Sequence, residues 1–316
     1  MGAGASSSMG VRGHGGVQET GLGDLPESCI AELMLYLDAP GICRLAKLSR
    51  AFRGAASGDF VWETKLPRNY QYLLEKASEE VENEVLLTKK EIYAQLCRPN
   101  PFDGGTKEFW LEKRRGRLCM SISSKALLIT GIDDRRYWSN IPTEESRFHS
   151  VAYLQQIWWF EVDAEIEFCF PPGTYSLYFR LHLGRPTRRL GRRICNTEHI
   201  HGWDIKPVRF QLWTSDGQHA LCQCKLDDPG CWIRYHVGDF IVGSADVPTK
   251  LKFSMKQIDC THTKGGLCVD SVLICPKGLI QEKGRSREQT SKSKKSGIST
   301  YRTQNIEPKV MVFLCS

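Results

Sequence analysis

Cysteine and histidine pairs are the first groups in this chain with the means to do chemistry. Cys195, His199 and His201 stand close together, and Cys222-x-Cys224 or Cys260-x-His262 would complete a zinc set with them. Structural zinc sites space their thiolates roughly two to four residues apart, so that the backbone can wrap the ion. One-residue gaps on strands match that poorly, and no metal is expected. Glu161, Asp163, Glu165 and Glu167 form a second group. Two carboxylates flanking a glycosidic bond can cleave it, one as acid and the other as nucleophile or base. Four on alternate residues read more simply as the wet face of one strand. The chain has no glycine-rich phosphate loop, no Gly-x-Ser-x-Gly elbow and no cysteine–histidine nucleophile setting. Neither a catalytic residue nor a cofactor is therefore expected.

The elements that must position these residues follow two periods. The chain has 316 residues, which suggests two domains. With 41% hydrophobic, 10% aromatic and 25% charged residues, it is neither collagen, nor coiled coil, nor wholly disordered. No run approaches the ~18 apolar residues of a membrane span, and the Gly/Ser-rich start lacks the apolar core of a secretory signal. The net charge of +7 is uneven: residues 279–316 hold eight Lys/Arg and three acids, a net of +5, which leaves +2 for the rest. A nearly neutral folded part speaks against nucleic acid as a partner. Thirteen cysteines without a signal peptide read as reduced thiols of the cytoplasm or nucleus.

From about residue 22 the apolar period is helical. Ile30, Leu33, Met34 and Leu37 follow Pro26 as one stripe; Ile42, Leu45, Ala46 and Leu48 give a second helix, and Phe52, Ala55 and Ala56 a third. Thr88-Lys89-Lys90-Glu91 matches a capping box that opens another helix. After Pro99 the period becomes 2. Phe160 to Phe170 alternate apolar and acidic, and Tyr175, Leu177, Phe179, Leu181 and Leu183 form the next inner face. Ten such runs with turn signals predict an antiparallel β-sandwich of jelly-roll type. The fold class is α+β and multidomain: leader 1–21, helical module 22–67, helical connector 68–98, sandwich 99–277, and a basic, disordered tail 278–316.

The run Leu25-Pro26, Ile30, Leu33, Leu37, Leu45, Leu48, Arg50, Phe52 and Trp62 strongly resembles an F-box. In that family the Leu-Pro pair and the apolar residues after it dock on the Skp-type adaptor of a cullin ubiquitin ligase. The resemblance implies that Leu25, Pro26, Ile30, Leu33 and Leu37 line the adaptor face, with Ile42, Leu45 and Leu48 shared between that face and the module's core.

From Leu87 to Pro276 the chain resembles the phloem protein 2 family, related to the jasmonate-induced tobacco-type lectin. The resemblance rests on stretches such as RPNPFDGGTKEFW, VAYLQQIWWFEVDAEIEF and NTEHIHGWDIKPVRFQL. With the helical module, the whole resembles a plant F-box protein of the phloem-protein-2-like A group. Lectin members bind N-acetylglucosamine-type glycans, which stack a sugar's C–H face on indole. The resemblance makes Trp138 one such platform, with Asp133 and Asp134 as acceptors of sugar hydroxyls. Gly131 stands where the family has its first tryptophan, so one platform is missing and any glycan is held weakly.

A non-catalytic substrate receptor of a ubiquitin ligase is the function implied, its target protein or glycoprotein left open; a free cytoplasmic or nuclear lectin is the alternative. Met1-Gly2-Ala3-Gly4-Ala5-Ser6 also fits the myristoylation pattern, with Gly2 as acceptor. A single acyl chain there gives only weak membrane association.

Overall fold

The structure, a computed structural model, describes residues 25–78, 87–189 and 192–280. Gly2, the leader and the tail beyond Ile280 lie outside the described residues.

The module expected as three helices forms four short ones: α1 (Glu27–Met34), α2 (Ala39–Leu45), α3 (Arg50–Ala55) and α4 (Asp59–Glu63). Short polar side chains start two of them. Asp38 Oδ1 accepts the Gly41 N–H at 2.8 Å ahead of α2, and Ser49 Oγ accepts that of Phe52 at 3.3 Å ahead of α3. The extra helix, α4, carries Trp62 into the core, where the indole N–H donates to the Ala56 carbonyl at 2.7 Å. Two more helices follow, α5 (Tyr70–Ser78) and α6 (Lys89–Leu96), and the Thr88–Glu91 capping box forms as predicted.

These last two helices join the module to the sheets. Tyr93 of α6 packs on Trp62, with ring centroids 5.4 Å apart, and Tyr72 of α5 meets Phe168 edge-on at 5.2 Å. Asn69 Nδ2 donates to the Cys169 carbonyl at 2.7 Å. One hydrophobic core consequently runs from Ile30 through Trp62 and Leu96 into the sandwich.

Among the described residues fifteen strands follow Pro99, all pairing antiparallel. The first six are β1 (Asn100–Phe102), β2 (Lys107–Leu111), β3 (Leu118–Ser123), β4 (Leu128–Ile129), β5 (Trp138–Pro142) and β6 (Ser150–Leu154). Next come β7 (Phe160–Phe168), β8 (Gly173–Leu183) and the hairpin β9 (Arg185–Arg189) with β10 (Arg192–Asn196). The last five are β11 (Val208–Thr214), β12 (His219–Cys224), β13 (Trp232–Val242), β14 (Thr249–Gln257) and β15 (Leu267–Pro276). One sheet runs β12-β11-β14-β7-β4. In the other, β13 pairs with β8 and β8 with β15, whose far edge is shared by β6 (from Leu267 to Val269) and β3 (from Ser271 to Ile274).

The inner faces meet through aromatic rings. Phe179 of β8 lies 5.8 Å from Phe210 of β11 and 6.0 Å from Phe253 of β14. At one edge the sheets nearly touch, since a Cβ on Gly238 of β13 would lie 2.2 Å from that of Ala220 on β12. β7 keeps its predicted alternation, whereas β8 and β15 are buried on both faces. Strands β5 and β6 escape the period-2 reading for related reasons. Ser150–Leu154 is almost wholly buried and does not alternate, and Trp138–Pro142 ends on a proline.

Candidate functional site

The helical module divides the predicted docking set by depth. Leu25, Pro26, Leu33 and Leu48 are exposed, Leu37 and Leu45 are half-buried, and Ile30 and Ile42 are fully enclosed. Ile30 and Ile42 therefore hold the helices together rather than present themselves to a partner. The period explains the split: on α1, Ile30 and Met34 point inward one turn apart, while Leu33 lies on the flank of that stripe, 49% exposed. Two further exposed apolar residues escaped the sequence reading: Tyr36, 89% exposed, and Phe60. Tyr36 lies three residues after Leu33, a spacing that was legible; Phe60 sits beside the buried Val61-Trp62 pair, which masks it.

At one end of the sandwich, the turn between β4 and β5 holds Gly131, Asp133, Asp134 and Trp138. Trp138 is only 2% exposed: its ring stacks on Phe160 at 6.4 Å, and its N–H donates to the Thr130 carbonyl at 3.0 Å. Both the apolar face and the polar handle are already used inside the protein. Asp134 accepts from the Arg136 guanidinium at 2.6 Å and from the Arg136 backbone N–H at 2.9 Å. These bonds hold its carboxyl below the usual aspartate range. Asp133 is exposed. Gly131 has φ +75°, and a Cβ there would meet the Tyr137 ring at 3.2 Å. The turn thus brings the four residues together, but as a closed turn and not as an open platform.

A lysine that sequence gave no reason to single out organises the same end. Lys264 is fully buried, and its ammonium donates to the carbonyls of Trp158, Asp259 and His262. Burial pushes its pKa down from the ordinary lysine value. Around it, Trp203 Nε1 donates to the Gly265 carbonyl at 2.8 Å and Trp203 packs edge-on against Phe160 at 5.0 Å. Trp158 and Trp159 remain exposed beside this cage, Trp159 donating to Glu161 at 3.0 Å.

The acidic ladder on β7 faces a basic one. The register sets Glu161 opposite Lys256, Glu165 opposite Lys252 and Glu167 opposite Lys250. Lys256 bridges Glu161 and Asp163, and Lys250 and Lys252 both reach Glu165. Hydrogen bonds from Lys256 and Trp159 hold Glu161 below the usual range, and those from Lys250 and Lys252 do the same for Glu165. A general acid needs the opposite shift, so the ladder is suited to stabilising the sheet and not to glycoside cleavage. The cysteines and histidines are dispersed. Cys222 and Cys224 pack against the core, His201 Nδ1 lies 2.9 Å from the His199 carbonyl, and His262 Nε2 lies 3.1 Å from that of Gly202. Among the described residues no three His, Cys, Asp or Glu side chains are arranged to hold a metal ion, and no helix is long and apolar enough to cross a membrane.

Residues 117–276 match the phloem protein 2 family. An Arabidopsis thaliana relative, F-box protein PP2-A13, is 65% identical over 260 residues, spanning 82% of this chain and 89% of the relative. F-box protein PP2-A15 of the same plant is 59% identical over 276 residues, spanning 84% and 91%. F-box protein PP2-A12, also of that plant, is 59% identical over 271 residues, spanning 85% and 92%.

Proposed function

Since this chain belongs to the phloem protein 2 family and is similar over most of its length to plant proteins named F-box proteins, we propose that it is the substrate-receptor subunit of a Skp–cullin–F-box ubiquitin ligase. The helical module holds the Skp-type adaptor, and the sandwich presents a target protein or glycoprotein to the ubiquitin-carrying enzyme. Catalysis is then proximity alone, with no reacting group in this chain. One observation carries the reading: Leu25, Leu33, Tyr36, Leu48 and Phe60 all stand exposed within fewer than 40 residues, on the four short helices or in the turns beside them. Isolated exposed apolar residues are ordinary, but this density marks a docking surface. Such a receptor works in the cytoplasm or nucleus.

Pull-down and calorimetry with a Skp-type adaptor test it. Changing Leu25 and Pro26 together to Ala abolishes adaptor binding and leaves melting of the sandwich unchanged, since both residues are exposed. Binding is only weakly sensitive to salt, because residues 22–67 carry five bases and six acids. Unchanged affinity in the double variant overturns the reading.

Glycan recognition at the β4–β5 turn is weak in this reading. The site lacks an indole at Gly131 and keeps Trp138 inside. Losing the burial of one aromatic side chain, about 1.5–3 kcal/mol, weakens a sugar site roughly ten- to hundredfold. The protein should pass unretained through a chitin-oligomer column; strong retention would put a lectin role ahead.

A further inference from the structure

Between the end of the helical module and the sandwich lies a cleft of about 530 Å³. The segment after α4 forms one wall, the β2–β3 turn another, and the prolines ahead of β8 part of the floor. Four cations line it: Lys65 and Arg68 from the module side, Arg115 and Arg117 from the turn. Among the described residues no acid lines it. Glu112, the acid of the same turn, spends its carboxylate on the backbone N–H groups of Arg114 and Arg115, at 2.8 and 2.9 Å.

Arg117 is the informative member. Its side chain is half-buried, and its Nε is fully buried without a hydrogen-bond partner. Because Nε is sealed from solvent, a ligand in the cleft meets this guanidinium only at its terminal nitrogens, while the buried stem holds the group in place. The geometry around it is fixed. Gly116, at φ +62°, lets the turn press so close under the module that a Cβ would lie 2.4 Å from the Lys65 carbonyl. Lys65 itself is committed, donating to the Leu35 carbonyl at 2.6 Å.

We infer that this cleft binds a small phosphorylated ligand, with the Arg117 guanidinium taking one phosphate group and Arg68 and Arg115 closing over its charge. The size falls within the range of small-molecule sites. A guanidinium fork matches phosphate oxygens two at a time. Four cations with no lining acid call for more than the single charge of a carboxylate. An extended nucleic acid is a poorer occupant, because residues 1–278 carry a net charge of only +2 (the +7 of the whole chain less the +5 of the tail). A ligand held from both walls also ties the adaptor-proximal helices to the sandwich.

Calorimetry on the full chain tests this with inorganic phosphate, pyrophosphate and tripolyphosphate, using sulfate at matched ionic strength as control. Affinity should rise with the number of phosphate groups, and tripolyphosphate should saturate below about 1 mM in about 0.15 M salt. Arg117→Gln should weaken it about tenfold or more, with Arg117→Lys in between, because lysine keeps the charge and loses the fork. Arg68→Gln with Arg115→Gln alters only exposed side chains, so that variant folds and should also bind more weakly. Hydrogen exchange should slow at residues 64–68 and 112–117 on binding. The inference is overturned by absence of saturable binding, by affinity unchanged in all these variants, or by protection that maps beyond residue 280.

Discussion

Leu33, Tyr36, Leu48 and Phe60 stand in water on the helical module, while Trp138, Trp203 and Phe160 are sealed at the loop end of the sandwich. The contrast follows from size. Four helices of five to eight residues cannot enclose their own apolar side chains. Their inner stripe is consumed by the core shared with α5 and α6, and the flanks remain outside. Two sheets of eight and five strands have interior to spare, and they draw in even the tryptophan that the family resemblance assigns to a sugar. Apolar surface on the small element is therefore available to a partner. On the large one the enclosed aromatics are structural, although Trp158 and Trp159 stay exposed at the same end.

The sharpest way to break this contrast is Trp138→Ala. If the indole is core, the variant loses about 3–5 kcal/mol of stability, the usual cost of removing a buried aromatic, and chemical denaturation shows it directly. Full stability combined with lost sugar binding would instead make Trp138 a ligand residue. Gly131→Trp does not rebuild the platform, since its positive φ and the nearby Tyr137 ring strain any side chain placed there. It should destabilise the turn without gain in affinity.

On the module, depth should separate two substitutions of similar size. Ile30→Ala, inside the core, costs about 2–5 kcal/mol and lowers the melting temperature. Leu33→Ala, only three residues on, stays within about 0.5 kcal/mol of the parent yet weakens adaptor binding. Equal stability effects would erase the division between inner stripe and outer face.

Lys264→Met probes the loop cage. It leaves three part-buried carbonyls without their donor and should cost about 1–3 kcal/mol, with faster proteolysis between β14 and β15. An unchanged melting curve would mean that the backbone bridges of Ile157 with Lys264 and of His201 with Gly265 hold the loops alone.

The smallest effect is expected from Lys256→Met, which removes the bridge to Glu161 and Asp163 at a cost below about 1 kcal/mol at neutral pH. Its pH dependence carries the information. Glu161 titrates below its ordinary value of 4.5 in the folded protein, so its stabilising share is present above that value and is lost as pH falls through the folded value. Parent and variant should differ near neutrality and converge in acid; a constant gap at every pH would show that the ladder is not electrostatic.

Much of the fold was legible because local periods and caps are short-range. The Thr88–Glu91 box, the alternation of β7 and the inward Phe179 follow from residues within a turn or a pleat of one another. The F-box resemblance, and not a local rule, set Leu25, Pro26, Leu33 and Leu48 on the adaptor side, and all four are exposed. Sequence alone therefore determined that a small helical module precedes an antiparallel sandwich, and which residues of that module are apolar enough to dock. Only the tertiary structure decided depth. It enclosed Ile30, Ile42 and Trp138, set the β7 acids opposite the β14 lysines, and brought Arg117 and Lys65 to one cleft across 52 positions of chain. Burial and charge pairing between distant segments depend on which faces meet, and no period along a single strand or helix encodes that.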